Sequence, residues 1–246
     1  MNNLKIRSLT LGSGLAFAAA MAVSMQANAA DGISYSYVEA DFLVQDIDLY
    51  ETGRNDDDNA VQDFVEDIDD GDGFALEGSF AFTDYLFGFA RYSSADVDFG
   101  YVTGTNIRVP SNTKVKTFNL GVGYNLELSD QVDFVARLAY VDVDTGDFTL
   151  GARDSDVNDL DTIRDAFDDL NEDSSDGYSL DAGVRAQPLE WLELGGGLKF
   201  TDLDTDDDFS VFGNALFEIN QNVGINLAAD IGDYASTYKL GLRYSF

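Results

Sequence analysis

The carboxyl-terminal residues alternate strictly between apolar and polar side chains, and this alternation limits what the chain can fold into. The apolar and aromatic positions are Tyr238, Leu240, Leu242, Tyr244 and Phe246. The positions between them are polar or small, namely Lys239, Gly241, Arg243 and Ser245. A period of two places the two sets on opposite faces of an extended strand. The chain therefore ends in an amphipathic β-strand.

Segments with the same alternation recur from residue 33 onward. A tilted strand needs about 9–11 residues to cross a bilayer, and these segments reach or exceed that length. The pattern predicts an all-β fold, an antiparallel up-and-down transmembrane β-barrel of ten strands, or of eight if two weak segments are misread. The predicted strands are 33–43, 73–82, 86–99, 114–126, 131–144, 177–187, 191–203, 207–219, 222–232 and 235–246.

The connections between these segments alternate between short and long. The short ones are 83–85, 127–130, 188–190 and 220–221, and the long acidic ones are 44–72, 100–113 and 145–176. In transmembrane barrels the short turns lie on the periplasmic side and the long loops lie outside the cell. An even number of strands then returns both ends of the chain to the periplasm.

Aromatic residues concentrate at the predicted strand ends. Those at the short-turn ends are Phe82, Tyr85, Tyr124, Trp191, Tyr244 and Phe246, and those near the outer ends are Tyr101, Tyr140, Tyr178 and Phe209. Aromatic side chains are enriched at both membrane interfaces. The distribution therefore predicts two aromatic girdles.

The alternation also assigns side chains to the lipid face or to the lumen. In the fourth predicted strand Phe118 and Leu120 share the lipid face, whereas Asn119 faces inward. The same assignment places a set of charged residues in the lumen: Glu77, Asp133, Arg137, Asp181, Arg185, Glu193, Lys199, Glu218, Asp230, Lys239 and Arg243. Because a buried unpaired charge costs several kcal/mol, we expect opposite charges to pair in a largely filled lumen. A narrow water path lined by these groups is the alternative.

The first and third predicted strands fit this assignment less well. Tyr35 and Tyr37 fall out of phase with Val38 and Phe42, which alternate as lipid-facing residues. One extra residue in a β-bulge shifts the phase of a strand by one. We therefore expect a bulge in the first strand.

The first 29 residues have the organisation of a cleaved secretory signal peptide. Lys5 and Arg7 precede an apolar run from Leu9 to Val23, and the small-residue site Ala27-Asn28-Ala29 follows. Cleavage after Ala29 leaves residues 30–246 as one barrel domain in the bacterial outer membrane. Loss of the two basic residues takes the formal charge from −32 to −34. Such an acidic chain lacks the basic footprint that nucleic-acid binding requires.

Histidine and cysteine are both absent from the sequence. Their absence removes the commonest general base, the usual transition-metal ligand and the imidazole of hydrolytic triads. A pair of carboxylates can act as acid and base, but with 46 acidic residues some pair will always be close. We therefore expect no enzymatic activity and no cofactor, and a fold that the sheet stabilises without disulfide bonds.

Two acidic loop segments carry apolar residues at helical spacing. Val61, Phe64, Val65 and Ile68 follow a run of acidic residues, and the segment 159–170 repeats the pattern. This spacing predicts two short amphipathic helices that cover the barrel rim or mouth. A docking surface for an external partner is the alternative.

Acidic clusters at 67–73 and 202–208 offer hard oxygen ligands for divalent cations. Neither cluster follows the EF-hand order, in which glycine is sixth and glutamate twelfth. A solvated acidic surface explains both clusters. Calcium binding and divalent cations that bridge these carboxylates to lipopolysaccharide phosphates are the alternatives.

Three segments carry a resemblance to a known family. They are Gly121-Val122-Gly123-Tyr124-Asn125-Leu126, Val132-Asp133-Phe134-Val135-Ala136-Arg137 after a short turn, and the terminal Tyr244-Ser245-Phe246. Together with the signal peptide they resemble the outer-membrane protein β-barrel family, the OmpA/OmpX-like small barrels. The resemblance implies that Tyr244 and Phe246 form a membrane-insertion signal for the barrel-assembly machinery. It also implies periplasmic chaperones during biogenesis, and outer-membrane lipid and lipopolysaccharide as surroundings.

The sequence therefore predicts an outer-membrane barrel with a structural or surface-interaction role that its acidic extracellular loops carry. The alternative is a narrow, porin-like channel for small cationic solutes. The two functions differ in whether the lumen is occluded.

Overall fold

The computed structural model describes residues 33–47, 65–68, 71–102, 108–146, 149–150, 174–204, 207–233 and 235–246. These residues form twelve strands and contain no helix. The strands are β1 (Tyr37–Ile47), β2 (Val65–Ile68), β3 (Gly71–Ala81), β4 (Leu86–Val102), β5 (Arg108–Ser129), β6 (Val132–Thr145), β7 (Thr149–Leu150), β8 (Ser174–Leu189), β9 (Leu192–Leu203), β10 (Asp207–Glu218), β11 (Val223–Gly232) and β12 (Ala235–Ser245). In this described part of the chain no helix is long and apolar enough to cross a membrane.

Ten of the strands close into an antiparallel barrel. Each barrel strand pairs with its neighbour in the chain, and β1 pairs with both β3 and β12. The pairing between β4 and β5 completes the ring. The prediction of a ten-stranded up-and-down barrel is confirmed, and the eight-stranded alternative is wrong.

The short strands β2 and β7 lie outside the ring of ten. They pair with the outer ends of β4 and β5, where these strands run beyond the rest of the barrel. The sequence predicted a long loop over 100–113, but β4 continues to Val102 and β5 begins at Arg108. The prediction of a helix over 61–68 is also wrong at 65–68, because that segment is β2. The helix predicted over 159–170 lies outside the described residues.

The outer surface of the barrel is an apolar belt. Large aliphatic and aromatic side chains stand exposed on the barrel strands, at alternate positions of most of them, among them Phe42, Leu76, Phe118, Val122, Leu138, Leu180, Leu198, Val211, Leu227 and Leu240. Such a continuous apolar surface is unfavourable in water and is favourable against lipid tails. The belt therefore marks the part of the barrel that lies in the membrane.

Exposed aromatic side chains lie at both ends of this belt. Tyr85 and Tyr124 stack at the short-turn end with ring centroids 6.5 Å apart. Tyr140 and Tyr178 pack edge to face at the other end, 6.2 Å apart. Trp191 lies at the β8–β9 turn and stacks on Phe217. The side chain of Tyr101 is outside the described part of the structure.

The predicted bulge in the first strand does not exist. The register of β1 is continuous against both β3 and β12. Tyr37 is buried and faces the lumen, as do Phe87 and Phe89 in β4. Tyr37 therefore does not belong to the lipid-facing set of its strand, and β1 alternates regularly without a bulge.

Candidate functional site

The lumen of the barrel is lined by charged side chains, which are arranged in rows across neighbouring strands. Inward-facing side chains from all ten barrel strands line a cavity of about 510 Å³. The lining extends from Tyr35 at the periplasmic end to Thr201 near the outer end of β9. Below, the charged residues that face the lumen are called the lumen network.

The first row runs over β12, β1, β3 and β4. Arg243, Glu39, Glu77 and Arg91 are successive cross-strand partners, so their side chains stand side by side. The Arg243 Nε donates to Glu39 Oε2 at 2.5 Å, and Arg91 Nη1 lies 3.3 Å from Glu77 Oε2. Two cations thus flank two carboxylates, which keeps the row neutral.

The second row runs over β6, β8 and β9, where Arg137, Asp181 and Lys199 are cross-strand partners. The Arg137 Nη2 lies 2.6 Å from Asp181 Oδ2. On its other side Arg137 Nη1 lies 3.8 Å from Glu77 Oε1. Because β3 and β6 are separated by two strands of the ring, this contact crosses the lumen and joins the two rows.

The periplasmic end of the network is centred on Arg185 in β8. The Arg185 Nε and Nη2 donate to the two carboxylate oxygens of Glu193 at 2.7 and 2.8 Å. This bidentate geometry is the strongest form of an arginine–carboxylate pair. Asp133 lies beside Arg185 in the register of β6 and β8, and its Oδ2 accepts a hydrogen bond from the Tyr35 hydroxyl at 2.8 Å.

Aromatic rings cover the arginines of the network. The guanidinium carbons of Arg243, Arg185 and Arg137 lie 4.1, 4.5 and 5.2 Å from the ring centroids of Tyr37, Tyr35 and Phe89. A cation over an aromatic face is attracted by the ring quadrupole, and the attraction grows when water is excluded. Aromatic side chains in this lumen therefore help to stabilise the arginine side chains that the sequence analysis assigned to it.

The remaining predicted network residues lie at the edges of the arrangement. Lys199 Nζ donates to Asp230 Oδ2 across β10. Lys239 faces the cavity from β12, while Glu218 ends β10 near the short turn. Among the residues that the structure describes, neither Lys239 nor Glu218 takes part in an ion pair.

A short segment before β1 enters the periplasmic end of the lumen. Ile33 and Tyr35 are each only 3% exposed and pack in one apolar cluster with Phe87 and Phe89. The ring centroids of Tyr35 and Phe87 are 4.9 Å apart. Below, residues Ile33 to Ser36 are called the amino-terminal segment.

Polar contacts hold the amino-terminal segment to strands on several sides. Ser79 Oγ donates to the Tyr35 carbonyl at 2.7 Å, and Arg185 Nη2 donates to the Ser34 carbonyl at 3.1 Å. Burial, reinforced by the hydrogen bond to Asp133, raises the pKa of the Tyr35 phenol well above its ordinary value, although Arg185 opposes this. The phenol therefore remains a hydrogen-bond donor at neutral pH.

The sequence did not identify three of the residues that form ion pairs in the lumen. Glu39 pairs with Arg243, Arg91 pairs with Glu77, and Asp41 lies 3.9 Å from Arg91. Glu39 and Asp41 alternate with Val38, Ala40 and Phe42, so the phase of the lipid-facing residues was a signal that could have found them. The aromatic residues Tyr37, Phe87 and Phe89 on the same inward faces hid this signal.

The predicted insertion signal lies at the periplasmic end of the last strand. The Tyr244 side chain is exposed on the lipid face, and its ring stacks with that of Phe246 at 6.4 Å. The Phe246 amide donates to the Ser36 carbonyl at 3.0 Å. The chain end is therefore fixed beside the amino-terminal segment.

The two acidic loop clusters are described only in part. Residues 67–68 belong to β2 and 71–73 to β3, while 205 and 206 lie outside the described residues. Within the described ranges, no group of three or more acidic side chains is placed to hold a metal ion. The idea of a divalent-cation site thus rests on the acidic composition alone.

A closed antiparallel barrel with an apolar belt outside and an ionic lumen inside defines a transmembrane outer-membrane barrel. A family model described as the outer membrane protein beta-barrel domain matches residues 15–246, and the chain belongs to this family. The resemblance inferred from the sequence is confirmed, and with it the bacterial outer membrane as the setting of the fold.

Several solved structures are similar to this chain at low sequence identity. The outer membrane protein OprG from Pseudomonas aeruginosa has 11% identity and a TM-score of 0.47, over 87% of this chain and 98% of that chain. The translocator domain of the autotransporter NalP from Neisseria meningitidis has 10% identity and a TM-score of 0.47, over 88% and 91%. The KdgM porin in complex with disordered oligogalacturonate has 12% identity and a TM-score of 0.43, over 85% and 99%. A search of curated proteins gives no match to this sequence.

Proposed function

We propose that the protein is a closed, non-catalytic outer-membrane barrel whose role is structural or a surface interaction carried by its acidic extracellular side. One observation carries this proposal. The lumen is crossed by paired charges, and Tyr35 of the amino-terminal segment fills its periplasmic end. An ion that enters such a lumen meets cations and carboxylates that already neutralise each other, and it meets the buried Tyr35 side chain at the periplasmic end.

The remaining parts of the proposal concern biogenesis and surroundings. Residues 1–29 are removed as a signal peptide, and the assembly machinery recognises Tyr244 and Phe246 at the end of β12. The stacked pair of aromatic rings, of which Tyr244 is exposed, supports this, because it leaves a recognisable surface at the end of the strand. Lipopolysaccharide surrounds the outer rim, where divalent cations link its phosphates to the acidic loops.

The experiment that tests the closed barrel is single-channel recording of the refolded protein in planar bilayers. We expect no steady conductance steps, because the amino-terminal segment closes the periplasmic end of a lumen that the ion pairs already narrow. Heat-modifiable gel migration of the same preparation establishes that the barrel has folded. Stable steps from folded protein would contradict the proposal.

A narrow channel is the second candidate, and the cavity of about 510 Å³ is the observation in its favour. That volume is in the range of small-molecule pockets. Under this alternative, wild-type protein conducts small cations, because the acidic exterior raises their local concentration. Steady cation-selective steps in the same recording would establish the channel.

A further inference from the structure

The amino-terminal segment reaches the far side of the barrel. Counted around the ring from β1, the strand β8 is fifth in either direction, so the two strands are opposite each other. Arg185 of β8 nevertheless donates to the Ser34 carbonyl and lies over the Tyr35 ring. A segment that precedes β1 and contacts the Arg185 side chain of β8 therefore lies inside the lumen.

The contacts of this segment are distributed around the periplasmic mouth. The Ala81 amide of β3 donates to Ser36 Oγ at 3.1 Å, Phe87 of β4 stacks on Tyr35, and Asp133 of β6 accepts the Tyr35 hydroxyl. These contacts are each of ordinary strength, and none is covalent. The segment is therefore held by many contacts that can be removed one at a time.

The cavity ends at this segment and continues past the ion pairs of the lumen network. Its lining includes Tyr35 and Phe87 on the periplasmic side, and Leu43 and Thr201 on the outer side. The rows of ion pairs hence narrow the lumen without ending the cavity. Tyr35 forms its floor.

We propose that the amino-terminal segment is an autoinhibitory stopper, and that releasing it converts the closed barrel into a cation-selective pore. The inference rests on the proposed function, because it assumes that the wild-type barrel is closed. The formal charge, −32 for the full chain and −34 after loss of Lys5 and Arg7, sets the selectivity of the released pore, since an acidic exterior attracts cations and repels anions. The lumen network then forms the wall of the path.

The test compares two substitutions in the segment with a matched tyrosine elsewhere. Tyr35→Ala removes the floor of the cavity, and Ile33→Gly removes apolar volume beside it while it leaves the Tyr35 hydrogen bonds in place. Tyr85→Ala makes the same chemical change as Tyr35→Ala at an exposed residue of the same barrel end. Each variant is refolded, its barrel is established by heat-modifiable migration, and its conductance is recorded in planar bilayers under a salt gradient.

We expect wild type and Tyr85→Ala to be silent, and Tyr35→Ala and Ile33→Gly to give steady steps with a reversal potential shifted towards that of the cation. If Tyr35→Ala does not fold, Ile33→Gly alone decides the test. Silent wild type together with folded but silent segment variants would overturn the stopper and leave the closed barrel standing. Steps from wild type would overturn the closed barrel itself.

Discussion

At the scale of single residues, ion pairing and contact with aromatic rings stabilise the buried charges of the lumen. Arg243 and Glu39 are almost completely buried, with side chains 8% and 5% exposed. Asn226 Nδ2 donates to the second Glu39 oxygen at 2.9 Å, and Tyr37 covers the Arg243 guanidinium. In the folded barrel, these protein groups therefore replace the water molecules that solvate each charge in the unfolded chain.

Removal of one member of this pair should be costly. Arg243→Met leaves the Glu39 carboxylate buried without a cation, which should lower the free energy of unfolding by about 3–5 kcal/mol. The double variant Glu39→Gln with Arg243→Met should recover much of the loss, because no unpaired charge remains. Denaturant unfolding of the lipid-embedded barrel, followed by the fluorescence of the single tryptophan Trp191, measures both effects.

The matched control for this prediction is an exposed pair. Lys116 and Asp144 lie 3.2 Å apart with side chains 39% and 52% exposed. Lys116→Met should cost about 1 kcal/mol or less, because water screens that pair. Equal losses in Arg243→Met and Lys116→Met would show that burial does not set the strength of the lumen pairs.

The sequence identified most of the ionic lumen residues but not all of them. Asp133, Arg137 and Asp181 were assigned inward because large aliphatic residues alternate with them, and a period of two leaves no other face. Glu39 and Arg91 were not assigned, because their strands also place aromatic rings inward. Which face an aromatic ring takes depends on what lies across the lumen, and a single strand does not carry that information.

At the scale of the strand, glycines on the inner face make room for the aromatic cluster below the cavity. A Cβ added to Gly123 of β5 would lie 2.0 Å from the Phe87 Cζ. The Phe87 ring is itself only 4% exposed and is stacked on Tyr35, so it has little space to move. The close approach of strand and ring therefore requires glycine at this position.

Gly123→Ala should consequently overpack the periplasmic end of the lumen. We expect a loss of about 1–3 kcal/mol in the free energy of unfolding, the usual cost of extra volume in a packed core. Gly78→Ala in β3 serves as the control, because a Cβ there meets no atom within 4 Å. A loss that is the same in both variants would contradict the steric explanation.

The bounds of most barrel strands were predictable from alternation, and the exceptions have a physical reason. The predicted strand 191–203 is observed as Leu192–Leu203, and 222–232 as Val223–Gly232. The outer parts of β4 and β5 were not predicted, because outside the bilayer one face of a strand is not required to be apolar. The pairing of β4 with β2 and of β5 with β7 joins segments that are distant in the chain, which local spacing does not reveal.

At the scale of the whole molecule, the apolar belt fixes how the barrel sits in the membrane. Leu138 lies in the middle of β6 and is 52% exposed, whereas Leu128 lies beside the β5–β6 turn and is 59% exposed. The two leucines differ in depth and not in exposure. They therefore separate the effect of lipid from that of surface position.

Arginine at these two positions should have different costs. Leu138→Arg should lower the free energy of unfolding from a bilayer by about 2–4 kcal/mol, and Leu128→Arg by about 0–1 kcal/mol, because the penalty falls towards the interface. Reversible unfolding from lipid vesicles measures the two values. A larger loss at Leu128 than at Leu138 would place the belt elsewhere on the barrel.

The hairpin formed by β4 and β5 is longer than membrane crossing requires. Its strands have 17 and 22 residues, whereas about 9–11 suffice to cross a bilayer. At about 3.3 Å per residue, the surplus of β4 corresponds to roughly 20 Å along the strand. The hairpin is thus a projection, paired along its flanks with β2 and β7, whose strands reach Val102 and Arg108 beyond the lipid headgroups. A molecule that touches the outer ends of β4 and β5 meets the cell at a distance from the bilayer.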